Sequence, residues 1–165
     1  MTIVLVGPPG AGKTTVGRLL ADRLRVPFRD TDADIEATVG KTIAEVFYDD
    51  GEEHFRALER AAVAAALDEH KGVLSLGGGA VLNPETRARL KDVYVVFLNV
   101  GLADAAKRVG LSRDRPVLAL NPRAVLNGLL AERLPLYREV ADHEVGTDGR
   151  TPDEVAAEVA SRVPG

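Results

Sequence analysis

The chain has 165 residues, 45% apolar and 28% charged, which suits one globular domain over 1–165 with a core built mainly from Ala, Val and Leu. It has no cysteine, which excludes thiol catalysis, disulfide frameworks and thiolate metal sites. A formal net charge of −4 offers none of the basic surplus that a polyanion requires, so no nucleic-acid partner is expected and any functional arginine must act locally.

Met1 leads straight into an apolar strand without a basic, signal-type segment, and no apolar run reaches the ~20 residues that span a bilayer. A cytoplasmic chain with no membrane partner is the expectation. Residues 2–6 (Thr-Ile-Val-Leu-Val) are apolar toward both sides, as a buried parallel strand requires. A Gly-rich turn follows, then a helical pattern from Lys13 to Leu24 and a short strand at 26–29. Helices are predicted over 32–39, 42–48 and 52–70, broken by Gly40 and by Asp50-Gly51. Val73–Leu76 reads as a strand closed by three glycines, and a helix from about Pro84 leads to a strand at 93–98.

Residues 102–109 have a helical pattern, and 110–122 read as a loop with Gly, Ser, Asp, Asn and two prolines. Helix resumes over 123–140, a strand fits 143–147, and Pro152 opens a final helix at its favoured first turn. Strands alternating with helices predict an α/β fold with a parallel sheet covered on both faces.

Gly7-Pro8-Pro9-Gly10-Ala11-Gly12-Lys13-Thr14 matches G-x-x-x-x-G-K-[ST] without a mismatch, between a strand and a helix. Such a loop turns successive backbone N–H groups, among them those of Gly10, Ala11 and Gly12, toward phosphate oxygens at a helix N-terminus. Lys13 can reach the β- and γ-phosphates, the Thr14 hydroxyl can ligate Mg²⁺, and Thr15 is assigned to the α-phosphate side. The motif predicts a nucleotide site; alone it does not say what receives the phosphate.

Two further strand ends carry polar chemistry. Asp30 and Asp32 follow the second strand, and Gly77-Gly78-Gly79 follow the 73–76 strand, where ligands of open α/β sheets collect. The acids can organise a metal and orient an attacking hydroxyl, or Asp30 can simply cap the next helix. The glycines suit close backbone approach. Asp34 reads as a solvated helix-start residue, and Arg29 as pointing to solvent at the strand's end.

In order and spacing, the phosphate loop, Asp30-Thr31-Asp32, Asp50-Gly51-Glu52-Glu53-His54-Phe55-Arg56, Leu74-Ser75-Leu76-Gly77-Gly78-Gly79-Ala80, Arg115-Pro116-Val117-Leu118 and Arg133-Leu134-Pro135-Leu136-Tyr137 together resemble the shikimate kinases, small P-loop kinases related to the nucleoside-monophosphate kinases. The resemblance implies a three-layer fold with a five-stranded parallel sheet in the order 2-3-1-4-5, a substrate-binding region about 32–60 and a mobile lid about 110–122. It implies ATP- and Mg²⁺-dependent phosphorylation of the 3-hydroxyl of shikimate, on the route to chorismate and the aromatic amino acids, by a monomer.

By that resemblance Lys13, Asp30, Asp32 and Arg115 are catalytic, with Thr14 and Asp30 serving the metal, Asp30 through water. Arg108, Arg115 and Arg150 join the phosphate loop in binding ATP. Asp32, Arg56, Arg133, the glycines 77–79 and the rings of Phe47 and Phe55 bind shikimate, the two arginines on its carboxylate, with Glu59 holding Arg56 from one helical turn away. The pattern does not choose between Asp30 and Asp32 as base. A gluconate-type kinase of the same fold, or a non-catalytic nucleotide switch, are the competing readings.

Overall fold

The computed structural model describes residues 1–100 and 122–164. Arg108, Arg115 and all but the last residue of the expected lid lie outside them. The elements run β1 (Thr2–Val6), α1 (Lys13–Leu24), β2 (Phe28–Asp30), α2 (Thr31–Val39), α3 (Ile43–Glu69), β3 (Gly72–Ser75), α4 (Pro84–Arg89), β4 (Tyr94–Asn99), α5 (Pro122–Val140), β5 (His143–Gly146) and α6 (Pro152–Arg162).

The five strands form one sheet in the order β2-β3-β1-β4-β5, with every pairing parallel, as the resemblance implied. In register, Leu5 lies opposite Ser75 and Asp30 is paired with the same serine. β1 alternates between the faces, as strand geometry demands. Ile3 and Leu5 join Val16 and Leu20 of α1 and Val155 and Val159 of α6 on one side. Val4 and Val6 join Val63 of α3 and Tyr137 of α5 on the other. Both faces are therefore covered, which explains why β1 reads as an unbroken apolar run.

A third, smaller cluster stands apart from these two. Ile35 of α2 packs with Ile43, Val46 and Phe55 of α3, with Phe47 and Leu58 at its edge. The helices predicted over 42–48 and 52–70 are the two halves of α3, which breaks from helical geometry inside its length at Gly51 (φ 85°, ψ 167°). Thr42 and Glu45 form a reciprocal capping box at its start, satisfying two otherwise orphaned amides. Among the described residues no helix is long and apolar enough to cross a membrane.

Candidate functional site: a phosphate loop facing an acid and arginine pocket

The loop between β1 and α1 ends on Gly12, whose φ of 84° lies in the left-handed region that glycine adopts without steric cost. Among the described residues no side chain caps this end of α1, so its first amides remain for an anion and for the positive end of the helix dipole. Lys13 Nζ donates to the carbonyls of Gly7 at 2.8 Å and Pro8 at 3.1 Å, folding the loop around its own ammonium group. The Thr14 hydroxyl donates to Asp30 Oδ2 at 3.0 Å, joining α1 to the end of β2.

Asp30 is also the N-cap of α2, accepting from the Asp32 amide at 2.9 Å through Oδ1. The capping expected as one alternative is thus present, and the other oxygen of the same carboxylate accepts from the phosphate-loop Thr14. Burial pushes the Asp30 carboxyl above its ordinary value, and the nearby Asp32 charge adds to the rise. Hydrogen bonds from Thr14 and the Asp32 amide, and the Lys13 charge, act in the opposite direction.

A hydroxyl beside a carboxylate whose charge is disfavoured is a donor pair that suits Mg²⁺, a hard cation that takes one or two protein oxygens and draws the rest from phosphate and water. Among the described residues no cluster of three or more His, Asp or Glu side chains could hold a metal by protein alone. The pair therefore fits a cation that arrives with its nucleotide.

On the neighbouring strand the three glycines are enclosed by functional side chains. A β-carbon at Gly77 would stand 2.7 Å from Asp32 Oδ1 and 2.9 Å from Glu59 Oε2. One at Gly79 would collide with the Arg56 guanidinium, and one at Gly78 would press on Pro9 of the phosphate loop at 3.0 Å. Any larger residue would displace the acid or the arginine.

Arg56 Nη1 donates to Glu59 Oε1 at 2.8 Å, and its Nε and Nη2 both reach Glu52 Oε2 at 3.3 Å. The guanidinium carbon lies 5.3 Å over the centre of the Phe55 ring, within cation–π range. Phe55 is itself buried and pairs with Phe47, half-buried, at 4.7 Å.

From the far side, α5 contributes Arg133, only 6% exposed, whose Nε has no hydrogen-bond partner among the described residues. A buried donor left open is costly unless a ligand closes it. One turn on, the Tyr137 hydroxyl donates to Gly78 O at 2.6 Å, and its ring stacks on Phe97. Tyr137 closes the Arg133–Tyr137 run that carried the resemblance but was given no role there, although its spacing from Arg133 places both on one helical face.

A separate cavity of about 250 Å³ adjoins the phosphate loop, lined by Gly12, Thr15, Thr147, Arg150, Pro152 and Val155 among others. Arg150 is held there by Glu158 at 2.7 Å and by the carbonyl of Gly146 at 3.0 Å. Thr147, buried and bonded to Asn99 O, was also not anticipated; the Asp148-Gly149 turn before Pro152 is the signal that marks this corner.

Two expectations are corrected. Arg29 does not point freely to solvent and Asp34 is not a solvated helix-start residue: they pair at 2.6 Å, and Arg29 also reaches Glu69 at 3.1 Å. α2 and the C-terminal end of α3 thus each supply a carboxylate to the edge strand's Arg29. Two of the three histidines have ordinary partners, His70 at the Val73 carbonyl and His143 beside Tyr94 and Arg162.

Comparison with known proteins agrees with this geometry. The family model for shikimate kinase matches residues 9–164. The shikimate kinase of Saccharopolyspora erythraea is 63% identical over 161 residues, covering 97% of this chain and 92% of that protein. A structure of the Acinetobacter baumannii shikimate kinase, in complex with shikimate, superposes with a TM-score of 0.93 at 36% identity, covering 99% of this chain and 95% of that one. A Sinorhizobium meliloti gluconokinase superposes at 0.58 with 18% identity, covering 97% of this chain and 89% of that one, a likeness of fold alone. A phosphate loop, an acid pair and two inward arginines on this sheet, with matches of that extent, mean that the chain belongs to the shikimate kinase family.

Proposed function

We propose a division of labour among these residues for the family's reaction, with shikimate as acceptor. As a member of that family the chain is an ATP-using kinase of aromatic amino-acid biosynthesis. Lys13 exchanges its carbonyl partners in the loop for the β- and γ-phosphate oxygens, while the backbone of Gly10, Ala11, Gly12 and the first turn of α1, with Thr15, holds the phosphate chain. Thr14 and, through water, Asp30 hold Mg²⁺. When bound, the cation neutralises charge on the β- and γ-phosphates.

Asp32 orients the 3-hydroxyl of shikimate against the γ-phosphorus and takes its proton as the bond forms. Arg56 and Arg133 grip the substrate carboxylate, with the backbone of Gly77, Gly78 and Gly79 closing that end. Phe47 forms a wall, and Phe55 supports Arg56 from beneath. Arg150, with Arg108, flanks the adenine, and Arg115 meets the transferred phosphoryl group. Little covalent chemistry falls to the protein, so rate comes from positioning and charge stabilisation. A cytoplasmic monomer completes the proposal.

One observation supports this reading: the Gly77–Gly79 loop has Asp32 against Gly77, Arg56 against Gly79 and, against Gly78, Pro9 of the phosphate loop. A donor cradle and a carboxylate-reading pocket share one wall. The decisive measurement is a coupled steady-state assay with ATP, Mg²⁺ and either shikimate or gluconate. Turnover with shikimate is the expected result; turnover with gluconate alone would overturn the assignment. Arg133→Ala is expected to raise the shikimate KM about 10- to 100-fold, the range for losing a hydrogen bond to a charged group, with the ATP KM unmoved. An unchanged shikimate KM would remove Arg133 from the pocket.

A further inference from the structure

A guanidinium binds a carboxylate most firmly along an edge that offers two nitrogens to two oxygens. In Arg56 the edges are already occupied. Nη1 donates to Glu59 Oε1 at 2.8 Å, and the Nε–Nη2 edge faces a single oxygen, Glu52 Oε2, at 3.3 Å on both arms. The two glutamates differ in kind. Glu59 has only 5% of its side chain exposed and makes the shorter contact, whereas Glu52 is 57% exposed and makes two longer ones. Glu59 is an anchor. Glu52 is loosely held.

We infer that Glu52 is a built-in placeholder for the substrate carboxylate, occupying the Nε–Nη2 edge of Arg56 and leaving it when shikimate binds. The inference rests on the assignment of Arg56 to that carboxylate.

Glu52 has somewhere to go. With Arg56, Glu59, Arg60 and Gly79 it lines an open cavity of about 250 Å³, so its side chain can rotate away without repacking. Its position also explains how the contact forms. Gly51 breaks α3 immediately before it, which makes Glu52 the first residue of the second helical segment, one turn below Arg56 on the same face. Three carboxylates cannot share one guanidinium on equal terms; the incoming group displaces the most exposed of the two already present. The placeholder keeps the Arg56 side chain extended over Phe55 and Gly79 when the pocket is empty, at the cost of competing with the substrate. An exposed pair of this kind is worth little, so the competition weakens substrate binding by a small factor rather than blocking it.

The test is Glu52→Gln, which keeps the side chain's size and helical preference and removes its charge. The shikimate KM is expected to fall about two- to fivefold, the range for a weak exposed pair, with kcat moving by less than twofold and the ATP KM unchanged. With the methyl ester of shikimate, which lacks the carboxylate charge, the same substitution is expected to leave KM unmoved. Arg56→Ala, measured in parallel, should raise the shikimate KM, and adding Glu52→Gln to it should change nothing more.

An unchanged or higher shikimate KM in Glu52→Gln, alongside a raised KM in Arg56→Ala, would overturn the placeholder and make Glu52 a plain support for Arg56. An equal fall for acid and ester would overturn it too. An Arg56→Ala enzyme with a normal shikimate KM would instead overturn the assignment on which the inference stands.

Discussion

Asp30 uses two oxygens for two partners, capping α2 through the Asp32 amide and accepting from the Thr14 hydroxyl. It does so with its charge disfavoured by burial and by Asp32. A carboxyl whose value is raised on folding binds more protons in the native than in the unfolded state between the two values. Stability therefore falls as pH rises through that window, and above it the whole cost is present. At neutral pH the folded protein carries that cost in a position where a cation would relieve it.

Asp30→Asn keeps a capping side chain of equal quality and removes the charge. It is expected to raise the melting temperature of the ligand-free protein at neutral pH, by roughly 2–4 °C for each kcal/mol relieved, while turnover collapses. The gain should shrink as pH falls toward the ordinary carboxylate range. Thermal melts across pH check it; a melting point at or below that of the parent at neutral pH would show that the charge is not held at a cost.

Individual residues differ in how far they could be read in advance. The phosphate loop is a contiguous motif that local spacing revealed, whereas Arg56 came from the resemblance, with Glu59 placed beside it by the one-turn helical spacing. Arg29 was misread although Asp34 is only five positions away; its second partner, Glu69 at the end of α3, is 40 positions away and reaches it only in the folded chain. The Tyr137 contact was missed because 59 positions separate it from Gly78.

Among the described elements, α3 has its break at a single residue. Gly51 sits at φ 85°, ψ 167°, a region that only glycine occupies comfortably, and nothing lies within 4 Å of where a β-carbon would be. Gly128 in α5 is also uncrowded, but it is exposed and lies within a helix. The same substitution should therefore act in opposite directions. Gly51→Ala is expected to cost about 1–3 kcal/mol through backbone strain, and Gly128→Ala to add about 0.5–1 kcal/mol through helix propensity and a stiffer unfolded chain. Urea unfolding midpoints of the two variants measure both; shifts of the same sign would refute the argument.

The break at Asp50-Gly51 was visible in the sequence as turn chemistry; the Thr42–Glu45 box, though local in spacing, was not read there. The order of the strands was not. Strands buried on both faces look alike, so the residues predicted a parallel sheet and only the resemblance supplied its arrangement.

At the scale of the molecule, two apolar clusters clamp the sheet and the third, around Ile35, Ile43, Val46 and Phe55, stands off it. A small cluster has less burial to lose, so it opens at lower free energy than the sheet. Amides of α2 and of the first half of α3 are expected to exchange with deuterium well before those of β1, β3 and β4, and shikimate should slow the first group most. Hydrogen exchange with and without substrate checks this; uniform protection would mean that the arm and the sheet open as one unit. Asp32 lies in α2 and Phe47 in the first half of α3, so under the proposed assignment part of the grip on substrate would come from the part of the fold most able to yield.

The donor and the acceptor are nevertheless set apart by the part least able to. Leu5 and Ser75 face each other across β1 and β3, and each strand releases its loop two residues later, at Gly7 and at Gly77. The two half-sites leave the sheet at the same height, one strand spacing of about 4.8 Å apart. Under the proposed assignment the ladder of backbone hydrogen bonds would thus serve as a ruler for phosphoryl transfer. A slip of one residue in that ladder would displace the acceptor loop by about 3.3 Å, as large as the whole distance of about 3–3.5 Å at which reacting atoms must meet.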